Sequence, residues 1–203
     1  MIFFFLILGC SSSTQFSASW TNPDYLDPTP PKSILVIGVA ENQANRRMYE
    51  AALAQRLEEH GVTAYQSVML LPTSEKLQKE DVVAAVKEKN IDAVLVTRVL
   101  DINRQKNYVP PSTTVYSAYP GYGHAYYGSY YGYYHHSYSV VTSPGYTYTD
   151  VTVILETNLY DASNESIAWS GQSATFNPED VHEVIGPTAK LIVNKLIEEG
   201  FIQ

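Results

Sequence analysis

Ile34-Leu35-Val36-Ile37-Gly38-Val39 is an unbroken apolar run flanked by Lys32-Ser33 and the polar stretch Glu41-Asn42-Gln43. A strand with one wet face alternates apolar and polar side chains, because successive residues point to opposite sides. Six apolar residues in a row therefore predict a strand buried on both faces, as in a sheet covered by helices. Downstream, residues 45–60 change period. Met48, Tyr49, Ala52, Leu53 and Leu57 fall on one helical stripe, with Arg46, Arg47, Glu50, Arg56 and Glu59 expected mostly away from it. Gly61 is placed to close that helix in the left-handed conformation.

Val62 to Leu71 predicts a second strand, ended by Pro72. Lys79-Glu80-Asp81 opens a second helix whose acidic first turn suits the macrodipole. Val82, Val83 and Val86 are its inward residues, and Asn90 is its expected left-handed cap. Ile91 to Leu100 predicts a third strand through Ala93-Val94-Leu95-Val96. Alternation of strand and helix implies parallel pairing in at least part of the sheet. From Val151, period-two alternation through Val153, Leu155, Thr157 and Leu159 predicts a half-buried strand. Asp161-Ala162-Ser163-Asn164 is a turn, and Ile167 to Phe176, anchored by Trp169, returns as a hairpin partner. Ile185, Ala189, Ile192 and Leu196 share a face of a last helix, with Pro187 setting its regular start near Gly186. The expected fold class is α/β: a single domain with a mixed sheet in β-α-β-α-β-(insert)-β-β-α order and helices packed on the sheet.

Between the third strand and the hairpin lies a biased segment, 103–148. It holds thirteen of the seventeen tyrosines and three of the five histidines. Few aliphatic residues are available there to offset the entropy of ordering, so 110–146 is expected outside the core. Tyr126, Tyr127, Tyr130, Tyr131, Tyr133 and Tyr134 are the candidate contact residues. His124, His135 and His136 are weak candidate metal ligands, since adjacent side chains in a strand point apart. His182-Glu183-Val184-Ile185-Gly186 begins like a zinc-protease helix but lacks the second histidine one turn on. Gly38 alone does not supply the backbone cradle of a phosphate loop. No serine stands in a nucleophile-elbow setting. No catalytic residue and no cofactor are expected, and the chain is read as non-enzymatic.

At the other end, Leu6-Ile7-Leu8-Gly9-Cys10 resembles a bacterial lipobox, and Cys10 is the sole cysteine. The resemblance implies a signal peptide at 1–9, short and lacking its basic residues, and a diacylglycerol anchor on Cys10, with palmitate on its amine. The apolar run is too short to span a bilayer. Residues 10–31, rich in Ser, Thr, Asn and Pro, are expected to form a lipid-anchored tether, with the folded domain over 32–203. By the same resemblance, Ser11 after the cysteine implies the periplasmic face of the outer membrane. A formal charge of −8 argues against nucleic acid as a partner, and none is expected.

Three stretches resemble a group of bacterial envelope lipoproteins: 32–40 with its helix, Asn90-Ile91-Asp92-Ala93-Val94-Leu95-Val96, and 155–171. That group includes families of unknown function and, more distantly, the curli-secretion lipoprotein, the lipoprotein activator of a penicillin-binding protein, and the N-terminal domain of the Tol-system propeller protein. The resemblance implies a periplasmic adaptor or scaffold whose partner is an envelope protein or peptidoglycan. Two other readings stay open: a subunit of an oligomeric secretion channel, and a glycan-binding module that stacks tyrosine on sugar. The oligomeric state stays open with them.

Overall fold

The structure, a computed structural model, describes residues 13–25, 29–71, 78–117 and 138–203. Cys10, the expected signal peptide, the three candidate histidines and the six candidate tyrosines lie outside the described residues. The element order is β1 (Ser13–Thr21), β2 (Ser33–Val39), α1 (Gln43–Glu58), β3 (Thr63–Gln66), α2 (Ser67–Leu70), α3 (Lys79–Lys89), β4 (Ala93–Val109), β5 (Ser112–Ser117), β6 (Tyr138–Ser143), β7 (Tyr146–Asp161), β8 (Ile167–Phe176) and α4 (His182–Glu198). Two compact units emerge: 1–104 with 151–203, and Gln105–Asp150.

The first unit is built on a six-stranded mixed sheet in the order β1-β8-β7-β4-β2-β3, not a closed barrel. β2 pairs parallel with both β3 and β4. β8 pairs antiparallel with β7 and with β1. Hydrogen bonds link Asp92 to Ala162, Thr97 to Thr157 and Arg98 to Glu156, so β4 and β7 run in opposite directions.

The apolar run in β2 behaves as a doubly covered strand. Ile34 and Val36 join Leu53 and Leu57 of α1, Leu95, Trp169, and Ile192 and Leu196 of α4 in one core. Leu35 and Ile37 join Ile91 in a second core on the opposite face, with Val82 and Val86 of α3 against it. Leu35, Val36 and Leu95 are fully buried, while Val96 is half-buried under α3. Asn90 takes the expected left-handed conformation after α3 (φ 51°).

Four readings need correction. The tether expected over 10–31 is in part a strand: Ser13–Thr21 is β1, the edge of the sheet. Phe16 meets Trp169 edge-on at 6.1 Å, and Tyr25 packs near Phe201. The hydroxyls of Ser19 and Thr21 donate to Glu199, just past α4. Burial alone would raise the Glu199 carboxyl; the Thr21 and Ser19 hydroxyls and the Lys195 ammonium outweigh it and hold the group below its usual range. Ser19 and Thr21 thus turn to the α4 side while staying exposed, because an acceptor waits for them there, which a polar composition hides.

The second correction concerns 62–71, where only Thr63–Gln66 is strand and Ser67–Leu70 is a helical turn. Glu50 accepts from the Val68 N–H and the Ser67 hydroxyl, which fixes that turn. Third, α4 starts at His182, four residues before the expected point. Asp180 Oδ1 accepts from the N–H groups of His182 (2.7 Å) and Glu183 (3.3 Å), and Val184 and Ile185 are buried. A cap and a packed first turn hold the helix ahead of Pro187. Fourth, β4 runs on to Val109 and β7 begins at Tyr146, beyond the limits expected near Leu100 and Val151.

In the second unit, β5 and β6 pair antiparallel from Ser112↔Ser143 to Ser117↔Tyr138. Asn107 Nδ2 donates to Asp150 at 2.7 Å. Gly145 lets the backbone pass closely, since a Cβ there would lie 2.8 Å from Pro111 Cδ. Tyr108, Tyr146 and Tyr148 are exposed.

Candidate functional site

The chain leaves β2 toward α1 on one face and reaches β4 by way of α3 on the other. Neighbouring strands β2 and β4 therefore continue in opposite senses, and the carboxyl ends of such a pair leave a crevice. A cleft of about 290 Å³ occupies that place. Val39, Val99 and Ile102 stand on its rim, and Val153, Leu155 and Val184 on its walls. The rim residues keep 55%, 44% and 40% of their surface exposed, a concentration of wet aliphatic surface at one mouth.

Beneath the mouth lies a buried polar cluster that the charge pattern of α1 concealed. Arg46 and Glu50 were expected on the solvent side; both are buried, Glu50 completely. Glu50 Oε1 accepts from Arg46 Nε (3.0 Å), the Ser67 hydroxyl (2.6 Å) and the Gly38 N–H (3.0 Å). Its other oxygen accepts from the Val68 N–H at 2.8 Å. Arg46 Nη2 donates to Ser67 Oγ at 2.7 Å, so the hydroxyl relays between the two charges. Residues 46, 49, 50, 53 and 57 form one continuous helical stripe. Opposite charges one turn apart inside an apolar stripe are the signal that would have found the pair.

Gly38 closes the account of the phosphate reading. Its N–H, the donor that a phosphate would need, is held by Glu50. A Cβ at this position would also sit 3.4 Å from the Tyr49 ring and 3.5 Å from the Glu50 side chain. Tyr49 donates its hydroxyl to Thr97 Oγ1 at 2.8 Å, and Thr97 meets Thr157 at 2.9 Å. Burial pushes the Tyr49 phenol up to about 12, against the opposing pull of Thr97 and Thr157. At neutral pH it is a fixed donor and not a base. The polar atoms below the mouth are thus committed to one another, and what the cleft offers is apolar surface.

Of the other residues singled out from sequence, His182 is exposed at the first position of α4. Trp169 is fully buried and Tyr160 half-buried, a core and a sheet-face aromatic respectively. Among the described residues, no group of three His, Cys, Asp or Glu side chains is arranged to hold a metal ion. Among them, too, no helix is long and apolar enough to cross a membrane.

No family model matches the chain, and no curated protein matches it. Solved structures that it is similar to include a PelC dodecamer from Paraburkholderia phytofirmans, with 13% identity, 95% of this chain and 99% of that chain covered, and a TM-score of 0.43. Another is the lipoprotein GNA1162 from Neisseria meningitidis, with 16% identity, 83% and 99% covered, and a TM-score of 0.43. A third is a PDZ domain protein from Parabacteroides distasonis, with 10% identity, 95% of this chain but 38% of that chain covered, and a TM-score of 0.38.

Proposed function

We propose that the protein is a non-enzymatic, lipid-anchored adaptor on the periplasmic face of the bacterial outer membrane, and that it binds an envelope protein through the cleft between the ends of β2 and β4. The observation that carries the reading is the exposed aliphatic rim of Val39, Val99 and Ile102 around an apolar hollow. Such a mouth suits an inserted apolar side chain, the usual anchor of a protein contact. A nucleophile or acid–base pair would need polar groups free to reach a substrate. Here Arg46, Glu50, Ser67 and Tyr49 are consumed by each other and by Thr97. The anchor rests on the lipobox ending at Cys10, whose acyl chains supply stable membrane attachment without a spanning helix.

Two measurements test the two halves. Cys10→Ala is expected to shift the protein from the outer-membrane fraction to the soluble or unprocessed pool; retention after a high-salt wash refutes the anchor. A photo-crosslinking residue at Ile102 is expected to give one dominant adduct in intact cells, lost when Val99 is changed to Asp. The same residue placed at exposed Lys190 on α4 should give none. Equal labelling at both positions refutes the cleft as the contact.

A further inference from the structure

The sheet of the first unit has a second face with its own chemistry. On one side of β1 and β8 lies α4. Ser19 and Thr21 reach toward that helix, so Trp20 between them points to the other side. Thr175 is buried and meets Thr14 on the α4 side, so Phe176 also points away. Each residue keeps 48% of its surface exposed. The register aligns Trp20 with Ser170 and Asn158, and Ala18 with Gln172 and Glu156, on this same face. Trp20 and Phe176 stand six residues apart along β8, about 20 Å at the rise of a strand. Between them Ser170, Gln172 and Gln15 supply hydroxyl and amide groups, interspersed with Ala18, Ala174 and Ile154.

Charge narrows the occupant. Among the described residues of β1, β8 and 152–160 of β7, Glu156 is the one charged side chain on this face, and Arg98 of β4 meets it at 2.7 Å. On a chain of formal charge −8, the described residues of these three strands offer this face no Lys or Arg of their own, and Arg98 beside them is held by Glu156, which disfavours a phosphate backbone or an anionic headgroup. The complement of an uncharged surface with rings at its ends and hydrogen-bonding groups between is an uncharged polymer with the same alternation. A pyranose ring has that character: an apolar C–H face that stacks on an aromatic ring, and a rim of hydroxyls that pair with amides. We propose that the open face of β1, β8 and β7 binds a neutral oligosaccharide chain, with Trp20 and Phe176 stacking on sugar rings and Gln172 bonding hydroxyls between them. This surface is separate from the cleft, and the proposal stands whether or not the cleft binds a protein.

The two tryptophans make the test direct, because Trp169 is fully buried and a change in emission reports Trp20. The full chain is titrated with chitohexaose, cellohexaose and maltohexaose. At least one of them is expected to give a saturable blue shift that salt does not suppress. By calorimetry, Trp20→Ala is expected to weaken that binding about tenfold or more, and Gln172→Ala to weaken it severalfold. Both variants should melt cooperatively, since neither side chain belongs to the core. If Trp20→Ala does not fold, Trp20→Tyr, which keeps a stacking ring, is expected to bind, and Gln172→Ala decides. No saturable response to any of the three sugars overturns the proposal, as does undiminished affinity in Trp20→Ala or, in its place, Gln172→Ala. Self-association that Trp20→Ala abolishes, in a protein that binds no sugar, assigns the face to a second copy and overturns it as well.

Discussion

Glu50→Ala is expected to lower the stability of the folded chain by about 3–5 kcal/mol, because it leaves the Arg46 guanidinium buried without its countercharge. It also strips the acceptor from the Gly38 and Val68 N–H groups and from Ser67. The expected readout is a large fall in the denaturation midpoint with the transition still cooperative. The double variant Arg46→Met/Glu50→Leu separates charge from packing. With both charges gone, much of the loss should be recovered, since apolar side chains of similar volume often replace a buried ion pair at little cost. A midpoint unchanged in Glu50→Ala would mean that water reaches the cluster and that the end of β2 is held by other means.

Trp169→Ala is expected to cost a similar amount, about 3–5 kcal/mol, through lost burial and the cavity left behind. The indole is fully buried between the sheet and α4, edge-on to Phe16. Gly171 explains how it fits. A Cβ at that position would meet the Trp169 ring and lie 2.8 Å from Phe16 Cε1. The glycine is therefore the floor on which the indole lies. Because Phe16 belongs to β1, the same substitution should loosen the edge strand first. Hydrogen exchange is expected to show lost protection at 13–21 before the central strands. Equal loss throughout would show β1 and the central strands opening as one unit.

How much of this was legible beforehand follows from what each residue does. β2 could be read because its apolar side chains go to two cores, so every position carries the signal. The β7–β8 pair could be read because one face is buried and the other is not. β1 could not: only Phe16 of its inward residues is a large apolar one, and Thr14, Ser19 and Thr21 are satisfied by partners far away in sequence. Arg46 and Glu50 were assigned outward on the rule that charges prefer water. That rule fails for charges that have each other. The cleft was likewise invisible, since its rim and walls come from the end of β2, from β4, from β7 and from the start of α4. Gly38 drew attention for a reason that the hydrogen bond to Glu50 removes.

The edge strand changes the reach of the molecule. A tether running from Cys10 to residue 31 would extend to about 70–80 Å and let the domain sweep the width of the periplasm. If Cys10 carries lipid as proposed, the start of the sheet at Ser13 would cut that leash to three residues, at most about 10 Å. The protein would then stand close to its bilayer and search in two dimensions. Partners bound to the same membrane would then meet it at a raised effective concentration, while those fixed to the opposite side would have to come to it.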